Sequence, residues 1–309
     1  MTPVPPRIDV VCLASWNADL VVRVPRPAAR GETQFASDFE ISPGGKGSNA
    51  AVAAARQGAK VALLARIGDD DFGRMALALW QAEGIDARQV TVATGERSGV
   101  AQIQVFDDGD NSIAVYRGAG MGLGAHHAQA AESLLRQARV VMASNEVPQA
   151  CTLAAFAIAR AAGVTTLLNP APAATLPDGL LALTDLLTPN EGELRALAGA
   201  PADAPEAACA ATLLARGVGR VLVTLSADGC RLHTRDAAAQ HLGGHRVPVV
   251  DTIGAGDTFT GALAAALARG EAIASAMRQA NAAAALAVQG RGAIAGMPGR
   301  AQVQALLAT

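Results

Sequence analysis

The chain has 309 residues, 51% of them hydrophobic and 17% charged, with 25 Lys and Arg nearly cancelling 27 Asp and Glu. That length and apolarity suit one large α/β domain with an appendage, or two modest domains. No block of like charge offers a nucleic-acid or membrane surface, so the expected partner is a small molecule.

Residues 8–14 read as a buried first strand ending at Ser15-Trp16-Asn17-Ala18-Asp19. The apolar run in it spans only residues 10–14, between Asp9 and Asn17, too short for a signal sequence or a membrane span. After Asp19, short alternating stretches broken by Pro and Gly continue to Glu40. Gly44-Gly45-Lys46-Gly47-Ser48-Asn49 opens an alanine-rich helix that runs to Gln57 and is closed by Gly58. Residues 60–67 form the next strand, and Asp69-Asp70-Asp71 precede a helix ending near Glu83, acidic residues being favourable at a helix N-terminus.

Residues 98–105 and 112–117, joined by Asp107-Asp108-Gly109-Asp110-Asn111, predict a hairpin that pairs with the broken strands of 19–40 in a small second sheet. From Gly124 the pattern alternates: strands at 140–143, 165–169, 185–188 and 220–224 with helices between them. Helices over 255–268 and 271–288 follow, then a glycine-rich loop over 289–299. Such alternation implies parallel βαβ units, hence an α/β fold with a doubly wound, mostly parallel sheet flanked by helices. Residues 1–16, 41–97 and 118–309 make this domain; 17–40 and 98–117 make the small β-sheet.

The cysteines, Cys12, Cys151, Cys209 and Cys230, are far apart and form no CxxC pair. They read as core thiols in a reducing compartment, and a cytoplasmic location is expected.

In a doubly wound sheet, ligands bind where strand ends lead into helices. Four polar clusters fall at such places: Asn17 with Asp19, residues 44–49, Asn190 with Glu193, and residues 251–257. One shared site is expected. Its most informative stretch is Asp251-Thr-Ile-Gly-Ala-Gly-Asp257-Thr. Gly254, Ala255 and Gly256 stand where a helix begins, so their N–H groups can converge on an anion. A carboxylate beside an anion hole repels the anion, and makes sense if Asp257 handles a proton while the hole holds a phosphoryl group. An isolated first-turn aspartate would merely complement the helix dipole.

Residues 44–49 are not a Walker A loop, because Glu40 stands where its first glycine should be and Gly47 follows the lysine. Nor does any cluster fit G-x-G-x-x-G; glycines between 118 and 124 have the wrong spacing, which counts against a dinucleotide oxidoreductase.

The segments GGKGSNAAVAA (44–54) and DTIGAGDTFTGAL (251–263) resemble the two signatures of the ribokinase (PfkB-type carbohydrate kinase) family. The resemblance covers nearly the whole chain, since Asn17-Ala-Asp19, Asn169-Pro-Ala-Pro-Ala173 and Thr188-Pro-Asn-Glu-Gly-Glu193 also look like that family. It implies an ATP-dependent sugar kinase whose small sheet is a lid over the sugar and pairs in a homodimer, with phosphorylation of the 5-hydroxyl of ribose as the leading activity. Carried over position by position, Asp257 is the catalytic base and Gly254, Ala255 and Gly256 the anion hole. Asn17, Asp19, Gly45, Lys46, Asn49 and Glu146 are sugar contacts. Asn190 and Glu193 organise Mg²⁺, largely through water. Thr224, Ser226 and Gly229 form a nucleotide loop, with Asn281 beside the adenine. Asp251, Ile253, Gly290, Gly292 and Gly296 frame a monovalent-cation site for K⁺.

These residue types suit the task. Asp19 can accept from two adjacent hydroxyls, and Asn17 and Asn49 both donate and accept. Asn190 and Glu193, at i and i+3, share a helix face suited to hydrated Mg²⁺. Three departures from the family pattern stand out: Ser226 at a position usually glycine, Gly120-Met121 for a small-Asn pair near the lid, and Gly296 where a serine cation ligand is common. A fructokinase-like or adenosine kinase-like enzyme of the same fold, and a non-catalytic sugar sensor, remain alternatives.

Overall fold

A computed structural model describes residues 8–308; the first seven residues and Thr309, assigned above to the larger domain, lie outside the described residues. Strand β1 (Val10–Ala14) leads through Ser15 and Trp16 into β2 (Asn17–Arg23), β3 (Asp38–Gly44) and helix α1 (Lys46–Arg56). β4 (Val61–Gly68), α2 (Asp71–Ala82), β5 (Asp86–Ala93), β6 (Gly99–Val105) and β7 (Asn111–Tyr116) follow. Next come α3 (Ala125–Ala130), α4 (Glu132–Gln137), β8 (Val140–Ser144), α5 (Gln149–Ala161), β9 (Thr165–Asn169), α6 (Asp178–Ala182) and β10 (Leu186–Leu187). The chain then forms α7 (Glu191–Ala198), α8 (Glu206–Ala215), β11 (Arg220–Thr224), β12 (Cys230–His233) and β13 (Gln240–Leu242). It closes with α9 (Ala255–Ala268), α10 (Ile273–Ala287) and α11 (Arg300–Leu307).

The large sheet has the order β13-β12-β11-β10-β9-β8-β1-β4-β5. Its pairings are parallel except β11 with β12 and β12 with β13, which are antiparallel at one edge. β5, β12 and β13 are absent from the strands expected from the sequence. They lie at the sheet margins, and β5 carries a largely solvent-facing pattern, so no continuous apolar run announces it. By contrast β1 is buried along its whole length, and its side chains alternate between the two layers. Val10, Cys12 and Ala14 join the core shared with α1, α9 and α10, whereas Val11 and Leu13 join the core under α5 and α8.

Helices α1 and α9 cross in close contact at Gly261, where a Cβ would stand 2.7 Å from Ala53 Cβ and 2.8 Å from the Ala54 nitrogen. The alanine-rich sequence therefore has a packing purpose: small side chains let the two helices that carry the site approach each other.

The small sheet has the order β3-β2-β6-β7, with β2 and β6 parallel and the outer pairs antiparallel. Strand β3 continues to Gly44, so the lid extends past the boundary expected at residue 40. Its root at Ser98 is clamped by Asp70, which accepts from the Ser98 N–H (2.8 Å), the Ser98 hydroxyl (2.7 Å) and the Gly73 N–H (2.8 Å).

Candidate active site

The winding of the sheet reverses between β1 and β8: from β1 the chain builds outward through β4 and β5, and from β8 through β9 to the other edge. The crevice at the carboxyl ends of such neighbours is where α/β sheets bind ligands. The loops after β1 and β8 supply Ser15 and Glu146 there, β2 opens with Asn17, and α1 and α9 start beside them.

The glycines before α1 allow this proximity. Gly45 has φ 94°, and a Cβ on it would lie 2.6 Å from the Ser15 carbonyl oxygen. On Gly47 a Cβ would lie 2.6 Å from Ala14 Cα. The first turn of α1 thus rests directly on the end of β1. Lys46 N–H donates to Glu146 Oε2 (2.9 Å), and Asn49, one turn on, donates through Nδ2 to Asp257 Oδ2 (2.9 Å). Asn49 Oδ1 is buried without a donor, a state that a ligand hydroxyl would relieve.

Asp257 is 5% exposed. Burial pushes its carboxyl up to about 6, opposed by the Lys46 charge and the Asn49 hydrogen bond and reinforced by Glu146 and Glu193. Gly254, the N-cap of α9, has φ 77° and no room for a side chain, a Cβ there lying 2.8 Å from Ala293 Cα. Of the N–H groups at this turn, those of Gly254, Gly256 and Asp257 have no protein partner among the described residues. The Ala255 N–H instead reaches the Thr252 carbonyl at 3.3 Å, so of the three residues expected to form an anion hole Ala255 is the one whose N–H is already engaged.

Asp19 faces the same region from the small sheet and is pushed up to about 6, chiefly by burial and then by Glu146 and Asp257, with Lys46 acting the other way. Its carboxylate occupies the space a side chain at Gly44 would need. The Asn17 amide lies 3.4 Å from Asp19; turned over, it accepts from the Gly45 N–H (3.1 Å) and donates to the Trp16 carbonyl (3.2 Å). The turned orientation satisfies both ends and braces the glycine turn against the lid.

A cavity of about 350 Å³ joins Lys46, Asn190, Glu193, Thr224, Gly254, Gly256 and Asp257. A second, of about 170 Å³, is lined by Asn17 and Glu146 with Trp16, Val115 and Arg117. The sequence reading assigned no role to Asn169, Thr188 and Thr252 of the first cavity, nor to Ser15 of the second. Asn169 had a legible signal, a polar residue closing a buried strand at its carboxyl end.

Asn190 and Glu193 form a capping box on α7: Asn190 Oδ1 accepts from the Glu193 N–H (2.8 Å), and Glu193 Oε2 accepts from the Asn190 N–H (2.9 Å). Their i, i+3 spacing thus has a structural cause of its own. Glu193 Oε1 and Asn190 Nδ2 remain without protein partners among the described residues and belong to cavity-lining side chains. Thr224 bridges to Asn190 at the end of β11.

Ser226, Gly229 and Asn281 do not line either cavity. Ser226 adopts φ 51°, the left-handed conformation that explains why glycine is usual there. Gly229, at φ 88°, would place a Cβ 2.7 Å from the Gly244 nitrogen, and Asn281 Nδ2 donates to the Gly243 carbonyl (2.8 Å). Together they brace the loop after β13. Asp251 ties two loops: Oδ1 accepts from the Ile253 N–H (2.9 Å) and Oδ2 from the Gly292 N–H (2.8 Å). Gly290 and Gly296 abut, a Cβ on Gly290 lying 2.5 Å from Gly296 Cα. A serine at 296 would run into the Ala287 carbonyl in this packing, which accounts for the glycine.

The chain is 38% identical over 296 residues to a ribokinase of Haemophilus influenzae, covering 95% of this chain and 96% of that one. It is 34% identical over 294 residues to a deoxyribokinase of Salmonella typhi, covering 94% and 96% respectively. Its fold superposes on Arabidopsis thaliana ribokinase complexed with ribose and ATP with a TM-score of 0.93, at 32% identity over 98% of this chain and 99% of that one. The family model described as pfkB family carbohydrate kinase matches residues 7–300, and by that match and these relatives the chain belongs to the pfkB family of carbohydrate kinases.

Proposed function

We propose that the protein transfers the γ-phosphoryl group of ATP to the primary 5-hydroxyl of D-ribose, giving ribose 5-phosphate. One observation carries this reading: the buried carboxylate of Asp257 stands at the N-terminus of α9, among unpaired N–H groups, with the polar groups of Asp19, Asn49 and Glu146 arrayed around it. A carboxyl held at about 6 is ionised at neutral pH, but it is far too weak a base to strip a sugar hydroxyl outright. It orients the hydroxyl and takes the proton late, as the loose phosphoryl transition state forms its new bond. The Gly254, Gly256 and Asp257 amides and the Lys46 ammonium hold charge on the migrating group; one such donor is worth about 2.7–4 kcal/mol.

The free Glu193 Oε1 and Asn190 Nδ2 fit a hydrated Mg²⁺ better than a directly ligated one, since the other polar atom of each side chain is engaged in the helix cap. When bound, Mg²⁺ offsets the negative charge of the phosphates. We assign K⁺ to the loops that Asp251 joins through Ile253 and Gly292, where a carboxylate and the carbonyls near Ile253, Gly290, Gly292 and Gly296 supply oxygen ligands of the right chemistry. We also propose a homodimer through the lids, supported by Phe39, Ile41 and Tyr116, each about half exposed on the face of that sheet opposite Asp19. A cytoplasmic setting is supported by the need for ATP and by four unpaired, buried thiols.

The test is ADP release by the purified protein with ATP, Mg²⁺ and K⁺ against D-ribose, 2-deoxyribose, fructose and adenosine. The highest kcat/KM is expected with ribose. Preference for another acceptor would keep the kinase and overturn the sugar; no turnover with any acceptor would favour the sensor. Omitting K⁺ checks the cation, and sedimentation velocity checks the dimer.

A further inference from the structure

We propose that Ser15 is a positioning residue for the sugar pocket, fixing which oxygen of Glu146 faces the substrate; this rests on the kinase reading above. Ser15 and Trp16 are the joint between β1 of the large sheet and β2 of the lid. The Ser15 hydroxyl donates to Glu146 Oε2 (2.6 Å) and accepts from the Gly47 N–H (3.0 Å). The same Oε2 accepts from the Lys46 N–H (2.9 Å). Two donors on one oxygen lock the plane of a carboxylate that otherwise rotates broadly about its last torsion. Oε1 is left without a protein partner among the described residues, on a side chain that lines the second cavity.

The placement has a topological reason. Ser15 follows β1 and Glu146 follows β8, the two strands that flank the reversal of the sheet, so the hydroxyl–carboxylate bond spans the crevice. Through Gly47 the same hydroxyl registers the first turn of α1, which carries Lys46 and Asn49. A second lid root uses a similar device, with the Ser98 hydroxyl bound to Asp70. There, however, Gly73 and Gly68 complete the cluster with their N–H groups.

The test is a double-mutant cycle of Ser15→Ala and Glu146→Ala, with sugar and ATP varied separately; alanine at 146 removes the acceptor, whereas glutamine would keep an oxygen for Ser15. Ser15→Ala is expected to raise the sugar KM about tenfold, the worth of one hydrogen bond to a charged group, and to change the ATP KM less than twofold. In the Glu146→Ala background, Ser15→Ala should add less than twofold. Ser15→Thr, which keeps the hydroxyl, should recover sugar KM toward the wild type. An undiminished Ser15→Ala effect in the Glu146→Ala background, or equal changes in both KM values, would overturn the proposal and make Ser15 a helix anchor only. Whichever acceptor the wild type phosphorylates serves for the cycle, so failure of the ribose assignment is seen first and separately.

Discussion

Replacing Asp257 with asparagine should make the protein at once a poorer enzyme and a more stable one. The side chain is 5% exposed, and burial raises its carboxyl from 3.8 to about 6. In the folded state the ionised form is therefore disfavoured by roughly two units, or ~3 kcal/mol at about 1.36 kcal/mol per unit. The unfolded chain binds the proton less tightly than the folded one. The penalty is thus absent below the unfolded value, grows as pH rises from about 4 to about 6, and is full above that. The Asp257→Asn substitution removes the charge while keeping an oxygen for Asn49 Nδ2. With an unfolding entropy of about 2.1 cal/mol/K per residue over the chain, ~3 kcal/mol corresponds to a melting temperature ~4–5 °C higher at pH 8, and nearly unchanged at pH 4. Turnover should fall by more than ~10²-fold with ATP binding retained, because the α9 N-terminal amides are untouched. Differential scanning fluorimetry at both pH values and steady-state kinetics read the two effects. Near-normal turnover would remove Asp257 as base, and an unchanged melting temperature at pH 8 would refute the buried-charge reasoning.

Other consequences are as direct. Because Asp257 and Asp19 are both raised to about 6 and both act ionised, kcat/KM for the sugar should fall below about pH 6, with a limb steeper than a single proton gives; a pH–rate profile checks this. Asp19→Ala should raise sugar KM at least about tenfold and ATP KM little, and the reverse pattern would exchange the two subsites. Gly261→Ala should destabilise by roughly 1–3 kcal/mol in urea titrations, since overpacking against Ala53 and the backbone of α1 outweighs alanine's helix preference of about 1 kcal/mol.

Much of the fold was legible because its signals are local. The apolar runs of β1, β4, β8, β9 and β11 declare strands buried on both faces, and the glycine turn before Asp257 declares a helix N-terminus. The site was legible as four clusters at strand ends, because parallel topology sends every such end to one side. β5, β12 and β13 are not legible in this way, being marginal strands whose pairing partners, rather than their own patterns, make them strands. Nor is Ser15, whose meaning depends on a carboxylate 131 positions away.

Residue type and short-range spacing are enough to specify the layer architecture, the carboxylate proposed to handle the proton and the glycine turn that opens α1. How charged the site is, and which of its atoms are left unengaged, depends on the folded chain. Burial and the neighbouring Lys46, Glu146 and Glu193 bring Asp257 to about 6, and the capping box takes up half of Asn190 and Glu193. Desolvation and hydrogen-bond occupancy are properties of atoms brought together from distant parts of the chain, and no local pattern encodes them.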